Sequence, residues 1–214
     1  MRARIIRSVT RSLNSLTYLV IGESGEAVLI DAGAGSFLRV AYWEDRGYRI
    51  THALITHGHF DHVCDVGKIR SLTGAAVVMG AEDIDLLDNA GYMCRYYGFG
   101  WRGGEVDVGL FGDAEFEAAG FLVKAIHTPG HTMGSYSYYF PELGAVFTGD
   151  TLFRGTIGRT DLPTGNDALM AESLRRLLML PKETVVYPGH GPPTTIGDEE
   201  ELILELIQVL ESSG

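Results

Sequence analysis

Thr56-His57-Gly58-His59-Phe60-Asp61-His62 places three of the chain's seven histidines and one carboxylate within residues 57–62. Four metal-capable side chains on one strand-to-helix loop crowd polarity together without structural benefit, whereas imidazoles and carboxylates suit borderline divalent cations. The bland alternative is a capped helix start, with Asp61 as N-cap and the histidines decorating a turn. It leaves the density of donors unexplained. Gly58 leaves room for the loop to fold back, so that His57 and His59 share one ion while Asp61 and His62 face another.

Four donors do not close two metal shells, and the candidates that complete them stand at the ends of other β-like runs. Ala27 to Ile30 runs into Asp31, and Ala53 to Thr56 runs into His57. Phe121 to Ile126 leads through Thr128-Pro129-Gly130 to His131, Ala145 to Thr148 ends at Gly149-Asp150, and Thr184 to Tyr187 ends at Pro188-Gly189-His190. Functional groups gathered where strands end, on loops held by a rigid sheet, make an active-site mouth. The Pro-Gly turns deliver His131 and His190 in defined directions. Asp150 is placed as a bridging carboxylate would be.

A hairpin signal at Glu23-Ser24-Gly25, between Tyr18 to Ile21 and Ala27 to Ile30, precedes mixed strands and helices and argues for two packed sheets with helices outside. Val63, Val66, Ile69 and Leu72 recur at helical spacing, as do Met170, Leu174, Leu177 and Leu178. A last helix is expected to open at Asp198, with Glu201 completing a capping box and Leu202, Leu206, Val209 and Leu210 on its apolar face. His52 and His127 lie in or at the end of strands and read as structural.

H-x-H-x-D-H at His57 to His62, T-P-G-H-T-x-G-S at Thr128 to Ser135, F-T-G-D-T-L-F at Phe147 to Phe153 and P-G-H at Pro188 to His190 together resemble the metallo-β-lactamase superfamily. Within it, the chain is similar to the glyoxalase II branch of hydroxyacylglutathione hydrolases, in a short single-domain form. The resemblance implies an α/β fold, a four-layer αββα sandwich of two mixed β-sheets flanked by helices, as one domain over residues 1–214. It implies that His57, His59 and His131 hold one metal, that Asp61, His62 and His190 hold the second, that Asp150 bridges, and that Asp31 orients ligands. Two divalent ions, zinc with iron or manganese as alternatives, would activate a bridging water to attack a small acyl thioester. Asp61 and Asp150 would serve that chemistry directly.

The chain departs from the glyoxalase II pattern in two places. Gly158-Arg159-Thr160-Asp161 stands where those enzymes carry a lysine and a tyrosine for glutathione; Arg159 is the residue that would bind a substrate carboxylate, and an Arg-Asp loop pair is its bland role. Residues 191–214 suffice for one helix and not for a C-terminal glutathione-binding helical domain. Alternatives on the same fold are a mononuclear-iron persulfide dioxygenase, whose loop continues Gly-Arg-Thr-Asp-Phe-Gln where this chain has Leu162-Pro163, and a lactonase or phosphodiesterase.

Seventeen Lys and Arg against 28 Asp and Glu give a net charge of −11, which disfavours nucleic-acid partners. No 18-residue apolar run or leader pattern is present, so no membrane partner and a cytoplasmic address are expected. Cys64 and Cys94 lack the spacing of a zinc site and read as reduced, packed thiols. Residues 89–111, with Tyr92, Met93, Tyr96, Tyr97, Phe99 and Trp101, read as an irregular stretch that forms a lid, a subunit contact or packing.

Overall fold

The computed structural model describes residues 3–212. A first sheet carries β1 (Arg4–Val9), β2 (Leu16–Ile21), β3 (Glu26–Ile30), β4 (Arg49–Leu54), β5 (Ala76–Gly80) and β6 (Val108–Leu110) in spatial order of sequence. Its first three strands are antiparallel and the rest are parallel. The second sheet uses β7 (Ala114–Ala118), β8 (Phe121–His127), β9 (Tyr136–Phe140) and β10 (Ala145–Gly149). After a small hairpin, β11 (Leu152–Phe153) and β12 (Thr156–Ile157), it adds β13 (Val185–Pro188) parallel to β10 and β14 (Thr194–Thr195) at the edge. Both sheets are therefore mixed.

Helices α1 (Ser36–Glu44), α2 (Phe60–Val63), α3 (Val66–Thr73) and α4 (Leu86–Tyr96) belong to the first half, and α5 (Asp167–Leu177) and α6 (Ile196–Ser212) to the second. Three apolar layers follow. Tyr18, Val20, Val28 and Ile30 meet Val123, Tyr138, Phe140 and Phe147 between the sheets. Leu19, Leu29, Ile50 and Met79 pack outward on Val40, Val66 and Ile69, while Val146 and Val186 pack on Met170, Leu174, Ile203 and Ile207. A strand covered on both faces is apolar on both, which is why β2 is buried at every position. This is the expected αββα sandwich.

Four local expectations are corrected. The helix after the histidine cluster is split, because Asp65 leaves it to accept the N–H groups of Gly35 and Phe37 at the start of α1. Helix α6 opens at Ile196, two residues before Asp198: the Thr195 hydroxyl accepts the Asp198 N–H. Its buried stripe is Ile203, Ile207 and Leu210, leaving Val209 outside. Cys64 and Cys94 form a disulfide, since α4 lies against α2 and brings their Cα atoms to 5.7 Å across 30 residues of sequence. Residues 89–96 lie within α4, so the first part of the aromatic segment is helical.

Candidate metal centre

The site lies beyond the C-terminal ends of β4, β8, β10 and β13, on loops that the sheets hold from both sides. Thr56 sits two residues past β4; its carbonyl accepts the Tyr136 N–H at 2.8 Å, tying the loop to the second sheet. His57 is fully buried. His59 caps α2 in an extended conformation, and the short helix then carries Asp61 and His62 in its first turn. The loop at residues 10–15 braces this turn, with Ser12 and Ser15 donating to the Asp61 carbonyl at 3.1 and 2.7 Å.

All seven sequence-identified donors converge. His57, His59 and His131 form one group, Asp61, His62 and His190 a second, and Asp150 joins His57 and His62 in a third; within each, one donor atom per residue lies within 4.8 Å of the others. His59 Nδ1 and His131 Nε2 are 2.9 Å apart, and His190 Nε2 lies 3.2 Å from Asp61 Oδ2. Asp150 spans the halves, with Oδ1 at 3.4 Å from His62 Nε2 and Oδ2 at 3.6 Å from His131 Nε2.

Outer hydrogen bonds select which ring nitrogen faces inward. His62 Nδ1 meets Asp31 Oδ2 at 2.8 Å, and His131 Nδ1 meets the Arg159 carbonyl at 2.8 Å. An acceptor on Nδ1 holds the proton there and leaves the Nε2 lone pair to the centre. Asp31 also accepts the Thr56 N–H at 2.8 Å and the Thr56 hydroxyl at 2.9 Å. Its φ of +58° is a left-handed conformation that aspartate tolerates better than most residues. The Asp31 assignment made on resemblance thus has a matching contact.

Two buried atoms lack any hydrogen-bond partner among the described residues at this centre, His57 Nε2 and Asp150 Oδ1. A buried acceptor without a partner is costly, and one facing other acceptors more so. A divalent cation removes that cost for all of them, so the residues fit such a group. The field agrees. Burial pulls His62 down, yet Asp61, Asp150 and Asp31 outweigh it and hold His62 at about 10. Burial and then the neighbouring His131 lower His59 to about 4, and burial foremost drives His57 well below the usual imidazole range.

The centre opens into a cavity of about 520 Å³ whose walls include Leu13, Leu86, Ala90, Met93, Leu162 and Pro163. Arg159 stands at its edge, 63% exposed, with Nε and Nη2 each 2.7 Å from an oxygen of Asp161. The guanidinium is thus engaged in the loop pair that was its bland alternative. Tyr92 and Tyr96 of the aromatic segment point away as exposed rings, while Asn89, Ala90 and Met93 supply cavity wall.

Sequence reasoning missed Asp83. Fully buried after β5, it accepts the Gly58 N–H at 2.8 Å, the Thr132 hydroxyl at 2.6 Å and the Gly134 N–H at 2.7 Å. A signal was available, because Asp83, like Asp31 and Asp150, follows shortly on the end of a strand.

The fold and this constellation of donors define a metallo-β-lactamase-type protein. The chain belongs to the metallo-beta-lactamase superfamily, whose family model matches residues 11–190. Among its relatives is a "Probable metallo-hydrolase YqgX" of Bacillus subtilis, 34% identical over 86% of this chain and 88% of the relative. Another is the "Hydroxyacylglutathione hydrolase GloC" of Haemophilus influenzae, 29% identical over 85% of this chain and 88% of the relative. Solved structures similar to it include the BLEG-1 B3 metallo-beta-lactamase, with a TM-score of 0.82 and 30% identity over 92% of this chain and 97% of that one. TTHA1623 in a di-iron-bound form has a TM-score of 0.80 and 36% identity over 91% of this chain and 96% of that one. Among the described residues, no helix is long and apolar enough to cross a membrane.

Proposed function

We propose that this chain is a binuclear metallo-hydrolase that cleaves small acyl thioesters. The observation that carries the reading is Asp150: one carboxylate faces His62 with Oδ1 and His131 with Oδ2, so it joins two donor groups that would otherwise be separate sites. His57, His59 and His131 would hold one ion, Asp61, His62 and His190 the other, and Asp150 both. Two such ions supply an activated water and stabilise the charge that develops on an acyl oxygen.

The protein's own groups account for the remaining requirements. Asp31 and the Arg159 carbonyl keep protons on the outer nitrogens of His62 and His131, so the inner Nε2 of each ring is the one that gives a lone pair to an ion, in His62 once its second proton is displaced. No serine or cysteine is among the residues lining the cavity, and both cysteines are paired, so a serine or cysteine nucleophile has no candidate there. A thiolate leaving group, with a pKa of about 8.5, departs without a strong acid. The apolar walls receive the carbon skeleton of the substrate and exclude bulk water from the acyl group.

Thioesters are favoured over phosphodiesters by the net charge of −11 and by the pairing of Arg159 with Asp161, which leaves no free cation among the lining residues named above. The name of the Haemophilus relative supports the same class, and the di-iron form of TTHA1623 supports a two-ion centre. The test is turnover of a panel containing hydroxyacyl and simple acyl thioesters, a lactone, a phosphodiester and a persulfide with oxygen monitored. The account predicts thioester cleavage, abolished in Asp150→Ala and His131→Ala. Oxygen uptake on the persulfide with one iron per chain would instead establish the dioxygenase.

A further inference from the structure

Asp83 stands outside the seven donors, yet its carboxylate is the point at which the two loops of one donor group meet. It comes from the short turn Ala81–Asp83 that follows β5 in the first sheet. Oδ2 accepts the N–H of Gly58, between His57 and His59, at 2.8 Å and the hydroxyl of Thr132, next to His131, at 2.6 Å. Oδ1 accepts the Gly134 N–H at 2.7 Å, farther along the His131 loop. Thr132 is fixed in turn by Ser135, whose hydroxyl lies 2.7 Å away.

The fit is closed by contact as well as by hydrogen bonds. A Cβ at Gly58 would lie 2.8 Å from the Asp83 carbonyl, and one at Gly134 would lie 2.6 Å from the Asp83 nitrogen. Both loops therefore approach Asp83 to backbone distance, and the glycines are what permits it. Burying a carboxylate without a cationic side chain beside it is unfavourable for folding alone, and an apolar side chain would fill the space better. Three donors from two ligand loops give the group a reason to be there.

We propose that Asp83 is a positioning residue that sets the spacing of the His57–His59 loop against the His131 loop, and through it the metal affinity of that half of the centre. The inference rests on the two-ion reading above. It is selective: among the described residues Asp83 makes no hydrogen bond to Asp61, His62 or His190, whose half is held by Asp31, Ser12 and Ser15. Asparagine cannot substitute, because with one acceptor oxygen it turns an amide N–H toward the Gly58 or the Gly134 N–H.

The experiment is zinc titration of the full-length apoprotein against a competing chelator, with histidine ¹⁵N resonances recorded at one and two equivalents. In Asp83→Asn, one site should weaken by about 10- to 100-fold, the usual cost of losing an outer partner of a ligand, while the other stays within about threefold. At one equivalent of zinc the rings of His62 and His190 should shift while those of His59 and His131 do not. Thr132→Val, which removes one donor and leaves the carboxylate in place, should weaken the same site by less, and it decides the matter if Asp83→Asn does not fold. Equal weakening of both sites, or none, overturns the positioning role while the two-ion reading stands. A wild-type protein that binds one zinc or fewer overturns both.

Discussion

Asp31 Oδ2 lies 2.8 Å from His62 Nδ1, and Asp31 Oδ1 lies 2.8 Å from the Thr56 amide nitrogen. One carboxylate thus fixes a ring in the second donor group and the backbone that leads to His57 in the first. The neighbouring Ala32 N–H donates to the His62 carbonyl at 2.6 Å, so the segment grips His62 at both ends. Replacing Asp31 with alanine should lower apparent metal affinity by about 10- to 100-fold. Chelator competition on the purified variant measures it, and an unchanged affinity would remove Asp31 from the account.

Loading the apoprotein with metal should release protons in a pH window that the site itself sets. His62, held at about 10 by Asp61, Asp150 and Asp31 against its burial, is protonated at pH 8, whereas His59, at about 4, is already neutral. Ligation needs both rings neutral, so at pH 8 the displaced proton comes from His62, and affinity rises as pH increases toward 10. In the apoprotein the sign is reversed for stability. The raised pKa of His62 stabilises the fold fully below about 6.5, and that contribution is lost as pH rises through 10. A pH-stat titration with zinc at pH 8 should record at least about one proton per chain, and no release would contradict the assignment.

The Cys64–Cys94 bond ties the end of α2 at Cys64, two residues past His62, to α4, which supplies the cavity wall at Asn89, Ala90 and Met93. Its removal in Cys94→Ala should cost about 2–4 kcal/mol by the loop-closure argument, a fall in Tm on the order of 10 °C. Thermal unfolding of the two proteins checks the magnitude. Thiol titration of the denatured, unreduced chain checks the premise, which two reactive thiols would refute.

Arg159 and Asp161 are both largely exposed, so their pairing is worth little to the fold, and the proposed role of Arg159 toward substrate is what it would restrain. Asp161→Ala frees the guanidinium at the cavity edge. The expected result is a rise in kcat/KM of roughly 3- to 10-fold for thioesters of anionic thiols, with neutral thioesters unchanged. Equal response of both substrate types would take Arg159 out of substrate recognition.

The donors were legible in the sequence because metal chemistry demands particular residue types, and four of the seven sit in one run from His57 to His62. The layered fold was legible too: β2 is apolar at five of its six positions, Thr17 excepted, as suits a strand between two covered surfaces. What escaped depended on tertiary packing. Helix α6 carries apolar residues on two adjoining stripes, 202-206-209 and 203-207-210, and only the sheet beneath selects the second. The cysteine pair has no local spacing to announce it, since its partners meet when α4 folds onto α2. Asp83 lies in Ala81-Glu82-Asp83, an ordinary acidic turn until Gly58, Thr132 and Gly134 arrive from elsewhere in the chain.

Elemental analysis of the dialysed, metal-loaded chain is the decisive check on whether the seven side chains make one centre for two ions. About two ions per chain are expected in the wild type and about one or fewer in Asp150→Ala, because the shared carboxylate would belong to both. A wild-type chain that retains one ion or none, or an Asp150→Ala chain that still retains two, contradicts such a centre.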